Sequence, residues 1–508
     1  MTESRQHLRG IARGGALGLI GAVVSAGTTF MLVLIVTNTM EKSEAGQFFS
    51  GTSLFMIAVA LCTLGTDAGL GRFTAKYVVE GRPEAARKCW TNALAVTFVL
   101  ALVVALVMLG ARDRLADLVG MSSRDAGAMI ALLAIGVPAA TLMTVALSAT
   151  RSLATMRPTV FVDKFFRTTT QSGLALAVLV GGGGLLALGY AWSIPYVLGA
   201  GIALFVLRRS ARLHLFGHGD VHGVRREFWR FTWPRSVAQI SQMTIQRADI
   251  IIIGALISPA AAAVYTAATR FIAFGQFGSQ AIQQTVQPRF SQLIASGKLD
   301  VLADVYRTST AWSMLISWPV YLAIGCAPGI YLSLFGSGYR QEGQVVVVVM
   351  AVAMMVGVAS GPVDTMLLMS GRSSLSLTNS LVALTLNLSL CFVLIPRVGI
   401  LGAAIAWNAA VVVRCALGYV QVRGATGLSP FSRAAAIAAG APLLCFGVPV
   451  GLLSWTGTLT APLYGIAVVL LTCVYCAVLW TQRAALELTA LRALLERRGS
   501  PTSPKVAT

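Results

Sequence analysis

Acidic side chains are scarce in this chain. Its 508 residues hold 19 Asp and Glu against 39 Lys and Arg, and charged residues of both signs make up 11%. A water-soluble fold of this length covers its surface with about twice that share of charge, so a soluble enzyme or regulatory domain is excluded. Other absences narrow the choice further. There is no Gly-x-x-x-x-Gly-Lys-Ser/Thr loop, hence no built-in ATPase, and the Gly181–Gly184 run lacks the lysine. No His-Glu-x-x-His and no convincing Ser/His/Asp set is present. Only four histidines occur, and His214, His218 and His222 recur every four residues among Gly217, Gly219 and Gly223. Glycine at that density argues against the helix that would align them on a metal, so they read as a polar linker. The eight cysteines are scattered, and Cys473 and Cys476, though at redox spacing, sit in an apolar run. They read as small buried side chains.

What fills the chain instead is apolar sequence. Hydrophobic residues reach 56% and the mean hydropathy is +0.76. Fourteen runs lie near 14–37, 47–70, 90–111, 127–149, 165–183, 186–207, 233–257, 262–286, 309–330, 344–368, 375–395, 400–421, 434–455 and 460–481. Each is about the 20 residues a helix needs to cross a bilayer. The first follows Arg5, Arg9 and Arg13 without a usual cleavage site, so it reads as a retained span. With the N-terminus inside, six cations face outward (Lys42, Arg112, Arg114, Arg124, Arg340, Arg397) and three lie within spans (Arg247, Arg270, Arg414). The other 30 are then cytoplasmic or at inner span ends, so the net charge of +20 reports topology rather than nucleic-acid binding. Both termini are expected in the cytoplasm of a multi-pass protein of the inner membrane.

The chain also repeats itself. Arg72-Phe73 is echoed by Arg289-Phe290, Gly46-Gln-Phe48 by Ala263-Val-Tyr265, and the stretch from Gly184 to Trp192 by that from Gly399 to Trp407. Six spans separate equivalent points, so the halves are parallel and related by an axis along the membrane normal. The expected fold is all-α: an N-lobe of spans one to six (1–225), a C-lobe of spans seven to twelve (226–430), then spans thirteen and fourteen with a tail (431–508). The longest internal connection, Arg208 to Arg230, is expected to link the lobes. In the tail, Leu488, Leu491 and Leu495 share a helical face beside Arg492, Arg497 and Arg498, which suits a helix on anionic lipid or a solvated helix equally. External connections are short, which leaves an enzyme acting on extracellular material no place for its site.

Charge inside a bilayer costs at least about 2.5–3.5 kcal/mol per residue at the helix centre, so each case needs a reason. On span seven Gln239, Gln242, Gln246 and Asp249 form one polar face with Arg247 beside it. Span eight carries Arg270, Gln276, Gln280, Gln283, Gln284 and Gln287. Helical rise places Arg247 and Arg270 about 15 and 12 Å below the outer ends of their spans, at one level. Two readings stay open: the arginines meet a diphosphate while glutamines bond sugar hydroxyls, or Asp249 pairs with an arginine as a structural bridge. Positions 30 and 53, the first-half counterparts, are Phe30 and Ser53; Thr28, Thr29, Ser50, Thr52 and Ser53 would make that wall polar and neutral. Asp67, Arg72 and Arg289, near inner span ends, are candidates for an entrance, and an Asp67–Arg72 pair fixing a helix end is the plainer account. Asp163 with Lys164 and Arg167, Asp364, and Arg414 are ascribed to snorkelling and local pairing.

Several of these residues carry a resemblance: Gly46 and Phe48; Asp67 with Gly69 and Gly71 before Arg72; Asp249 to Gly254; Tyr265 with Arg270; Pro288 to Phe290; and Ile395-Pro396 with Gly399 to Ala404. Over residues 10 to 425 the chain resembles the polysaccharide transporter family, the Wzx-type flippases of the multidrug/oligosaccharidyl-lipid/polysaccharide (MOP) exporter superfamily. The resemblance implies two six-helix lobes in a V, alternating access, and a cationic cavity for an undecaprenyl-pyrophosphate-linked oligosaccharide. Membrane lipid, a polysaccharide polymerase and glycosyltransferases would be its partners. No cofactor is expected, and the drive would be a proton, sodium or the membrane potential. Spans thirteen and fourteen depart from the twelve-span plan and are similar to the lipid II flippases; a cation-coupled multidrug exporter is the other alternative.

Overall fold

The computed structural model describes residues 3–121, 125–153, 155–214, 223–456, 459–483 and 486, and every regular element among them is helical. Each of the fourteen apolar runs lies on one helix or on two or three consecutive helical pieces. Ten are long and apolar enough to cross a membrane by length and composition. The other four, spans five, seven, eight and nine, are broken or carry more polar residues.

Spans pack in the same order in both halves. Span four lies on six as ten lies on twelve, span one on five as seven on eleven, and three on four as nine on ten. Counterpart spans begin at Lys42 and Pro259, Pro83 and Leu299, and Leu185 and Ile400, which matches the offset read from the sequence. Spans thirteen and fourteen dock on the outside of span nine, where Tyr464 and Tyr475 donate to the carbonyls of Ala323 and Leu315 at 3.0 and 2.8 Å. The connection expected over Arg208 to Arg230 is mostly helical, because span six runs on to His214 and span seven starts at Val224. Helices that outrun the bilayer need no loop residues until they leave it. His218, His222 and the leucine-bearing tail lie outside the described residues. All eight cysteines are free.

Spans two and ten both bend at a glycine. Span two breaks after Lys42–Thr63, where Leu64 and Gly65 both take the left-handed conformation (φ 48° and 64°), and restarts as Thr66–Val79. Glycine accepts that conformation readily, whereas for leucine it costs about 1–2 kcal/mol. Span ten turns at Gly361 (φ 75°) and Pro362, between Ser337–Ala359 and Val363–Met369.

The lobes meet along two seams. Spans two and seven stay together to the end of the bundle that holds Glu227. There Phe73 packs on Phe228 and Phe231, and Glu227 accepts from Lys76 at 2.6 Å and Tyr77 at 2.8 Å. These hydrogen bonds, Lys76's first, hold the Glu227 carboxyl below the ordinary glutamate range. A lowered value means that the contribution is whole above the ordinary range, near 4.3, and fades as pH falls through the lowered one. Acidification should therefore loosen this end of the seam, and Glu227→Gln should remove the pH dependence. The distance between spin labels at the exposed positions 79 and 230, one on each span, measures it. The effect is expected to be small, since both side chains are partly exposed.

At the opposite end, which holds Lys42, the closure involves span one, span two and span ten. Asn38 donates to the Leu334 carbonyl at 2.8 Å, and Lys42 pairs with Glu342 at 2.9 Å. Beneath them Phe30 of span one meets Phe274 and Phe335 edge-on, at 5.1 and 5.5 Å between centroids, with Tyr331 alongside. The surface ion pair contributes about 0–1 kcal/mol; the apolar ring cluster holds this end shut.

Candidate functional site

Between the lobes lies a cavity of about 660 Å³. Span one supplies Ala22, Ser25, Ala26, Thr29 and Phe30, and the C-lobe supplies most of the rest from spans seven, eight, ten and twelve. The Phe30 cluster forms its floor toward the Lys42 end. Toward the Glu227 end the lining extends to Lys164, Gln283 and Arg414.

Arg247, Asp249, Gln242 and Gln246 of span seven and Arg270, Gln276 and Gln280 of span eight all face this one cavity. The reason is local. The periodicity of span seven turns its polar face inward while Ile250, Ile252 and Ile253 pack into the core. Span eight is interrupted at Arg270, between Pro259–Thr269 and Ile272–Ala295, so its first piece packs on span two and its second lines the cavity. The Arg270 Nε donates to the Thr266 carbonyl at 3.0 Å, which fixes the stem and leaves the end of the fork uncommitted.

Asp249 does not bridge to either arginine. Its Oδ2 accepts from the Tyr265 hydroxyl at 2.6 Å and its Oδ1 from the Ile250 amide at 2.9 Å. Among the described residues no carboxylate lies within ion-pair distance of Arg247 or Arg270, and the two guanidiniums repel each other. The structural bridge open from sequence is therefore not formed. Asp249 instead anchors span eight to span seven through Tyr265, sixteen residues away. Two cations facing one cavity without a bonded counter-ion among the described residues leave guanidinium donors free for an anion.

The neutral wall expected from the first half is only partly there. Thr29 and Ser25 line the cavity, but Ser50, Thr52 and Ser53 are buried within the packing of span two. Their small size serves close helix approach: Ser50 Oγ would sit 2.8 Å from a Cβ on Gly254. The entrance residues do not assemble either. Asp67 accepts from Arg151 at 2.6 Å and from Ser148 at 2.8 Å, not from Arg72. Arg72 stacks on Phe231 at 4.4 Å, and Arg289 is exposed at the Glu227 end. Asp67 and Arg72 share the helix Thr66–Val79, where a five-residue spacing sets them about 140° apart around the axis, and Asp67 faces span four.

Two further residues belong to the cavity against the expectation from sequence. Lys164 faces it from a π-helical stretch, Thr159–Arg167, and pairs with Asp163 at 3.2 Å. Arg414 on span twelve faces it too, and pairs with Asp364 at 2.7 Å. Local pairing holds for both. Arg414 and Asp364 are each visible in the sequence as charges among apolar neighbours; that they pair, fifty residues apart, is not.

Residues 11–294 match the model of the family described as polysaccharide biosynthesis protein, and residues 234–393 match the model described as MatE. No curated protein matches the chain. Among solved structures it is similar to the lipid II flippase MurJ in an inward closed conformation, at 10% identity over 94% of this chain and 100% of that one, with a TM-score of 0.73. It is also similar to an inward-facing multidrug resistance MATE family transporter of the MOP superfamily (15% identity, 80% and 98% covered, TM-score 0.65). A third is a MOP superfamily transporter from Pyrococcus furiosus, described by a binding pocket of reverse polarity (17% identity, 84% and 98% covered, TM-score 0.59). At such identities the likeness is one of fold.

Proposed function

The chain belongs to the polysaccharide biosynthesis protein family and has the fold of the MOP exporters, and from that premise we propose that it flips a lipid-linked oligosaccharide across the inner membrane. The observation that carries this is the pair Arg247 and Arg270, two guanidiniums in a cavity with no carboxylate bonded to them. A bilayer stops a sugar chain and its pyrophosphate because their polar groups would lose water without replacement. Planar forks suit phosphate oxygens, and Gln242, Gln246, Gln276 and Gln280 suit hydroxyls.

The excess of Lys and Arg toward the Glu227 end supports a cytoplasmic position for it, and the substrate then enters from the side where such lipids are built. Rocking of the lobes then closes that end and opens the Lys42 end, while the lipid tail stays in hydrocarbon. With the inside negative, outward movement of phosphate gains about 2.3 kcal/mol per charge per 100 mV, so the membrane potential assists. A cation exporter fits poorly, because the one carboxylate beside the arginines is engaged by Tyr265 and Ile250. A lipid II-type substrate is the second reading, favoured by the likeness to the lipid II flippase MurJ over 94% of this chain; such a substrate would present the same lipid-linked phosphates.

Proteoliposomes holding the purified protein test this. Lipid-pyrophosphate oligosaccharide and lipid II in the inner leaflet should become accessible to outside enzymes at rates that separate the two readings. Export of organic cations with neither lipid moving would refute both.

A further inference from the structure

Arg414 differs from the deeper arginines in having a carboxylate partner. Its guanidinium donates to Asp364 Oδ2 at 2.7 Å and to Gln242 Oε1 at 2.8 Å, and the side chain, 28% exposed, still faces the cavity. A guanidinium has five donors, so these two bonds leave capacity for another anion. Asp364 is half satisfied as well, since its Oδ1 is buried without a hydrogen-bond partner. An ion pair kept only for stability would satisfy both oxygens, because a buried acceptor without a donor is costly.

The backbone around Asp364 is a short helix set off from the rest of span ten by a glycine joint. Asp364 lies in the first turn of Val363–Met369, just past the bend at Gly361 and Pro362. A Cβ at Gly361 would come within 2.5 Å of Thr310 Oγ1, so the joint has glycine both for its φ and for its close neighbour. The Arg414 contacts thus tie this lower piece of span ten to span twelve, and Gln242 adds span seven. Gln242 precedes Arg247 by five residues, so Arg414 stands about 7.5 Å nearer the Glu227 end than the deep arginines. An anion coming from that end meets Arg414 before it meets them.

We propose, resting on the lipid-pyrophosphate reading, that Arg414 is a caged substrate-contacting residue: Asp364 holds it in this conformation, and an entering diphosphate takes the guanidinium from Asp364. A diphosphate offers more charge and bidentate geometry than one carboxylate, which favours the exchange. Losing Arg414 releases the Val363–Met369 piece at its joint. Occupancy of the cavity and the position of span ten are thereby coupled, and the coupling acts in both directions.

Binding of inorganic pyrophosphate to the full-length protein in nanodiscs, read by calorimetry, tests the cage. Asp364→Asn should tighten binding about threefold to tenfold, because the competitor loses its charge. Arg414→Gln should weaken binding, and Asp364→Asn added to Arg414→Gln should change nothing more. Asp364→Asn without effect, or with the same effect when Arg414 is absent, overturns the cage. If Arg247→Gln and Arg270→Gln still weaken pyrophosphate binding in that case, the cavity reading stands alone; if they do not, it falls too. Should Asp364→Asn fail to fold, spin labels at positions 372 and 423 of the otherwise native chain give a second reading. Their separation should increase on adding pyrophosphate, and an unchanged distance overturns the proposal.

Discussion

Replacing Arg247 and Arg270 together by glutamine is expected to reduce flipping of a lipid-linked saccharide by at least about a hundredfold while leaving the protein folded. A hydrogen bond to a charged group contributes about 1.5–3 kcal/mol, and each arginine would supply at least one to the diphosphate, so the pair stands for roughly 3–6 kcal/mol. A factor of ten in rate or binding corresponds to about 1.4 kcal/mol, which places the loss between about a hundredfold and ten-thousandfold. Stability should move the other way. Neither guanidinium has a bonded carboxylate, and the two repel, so removing both charges relieves a cost instead of breaking a bridge. Each single variant should lose about tenfold or more in flipping. Melting temperatures measured with the transport rates separate this outcome from simple unfolding: a drop in both would favour a structural role, whereas a dead but equally or more stable double variant supports anion binding. Asp249→Asn is the contrasting control. It weakens an acceptor that joins two spans through Tyr265 and should lower stability first.

Sequence is informative here where one helix carries the whole signal. Span seven shows its polar face in its own periodicity, and the half-length echo reveals the pairing of counterpart spans without any contact being known. The signal is lost wherever a side chain's partner lies on another span or past a bend. Asp67 and Arg72 are five residues apart and look like a pair, but on one helix that spacing sets them about 140° apart, and Asp67 reaches Arg151 on another span instead. Asp364 and Arg414 each stand out among apolar neighbours, yet only the fold brings residues fifty apart to 2.7 Å. Ser50, Thr52 and Ser53 show a different limit. Small hydroxyl residues line a wet wall and ease tight helix packing equally well, and the sequence does not say which side faces a neighbour. The arginines are legible because charge in a membrane is costly enough to need a reason; serine and threonine are not.

Gly46→Val is expected to hold the Lys42 end open. A Cβ at Gly46 of span two would fall within the carbonyl of Pro259, at the start of span eight, and backbone on the opposite lobe cannot rotate away as a side chain can. The same end is held tight by Gly120, whose Cβ would strike the carbonyl of Gly254. Overpacking a close contact costs about 1–3 kcal/mol where neighbours can yield; here the only relief is to separate the lobes. Moving a two-state equilibrium from 99:1 to 1:99 takes about 5.5 kcal/mol, and from 99:1 to parity about half that. A cost near 3 kcal/mol therefore brings the open form to about half the population or more. The ion pair of Lys42 with Glu342 is too exposed to resist, and the rings around Phe30 must part as the helices do. Spin labels at Thr39 and Arg340 should report a longer separation in the variant, and a cysteine placed at Thr37, buried at this end, should gain access to a water-soluble reagent added outside. Flipping should fall, because a carrier that cannot close its outer end does not complete a cycle. Lys42→Ala, by contrast, should leave the distance distribution nearly unchanged. If Lys42→Ala opens the end and Gly46→Val does not, closure depends on charge, and the packing account is wrong.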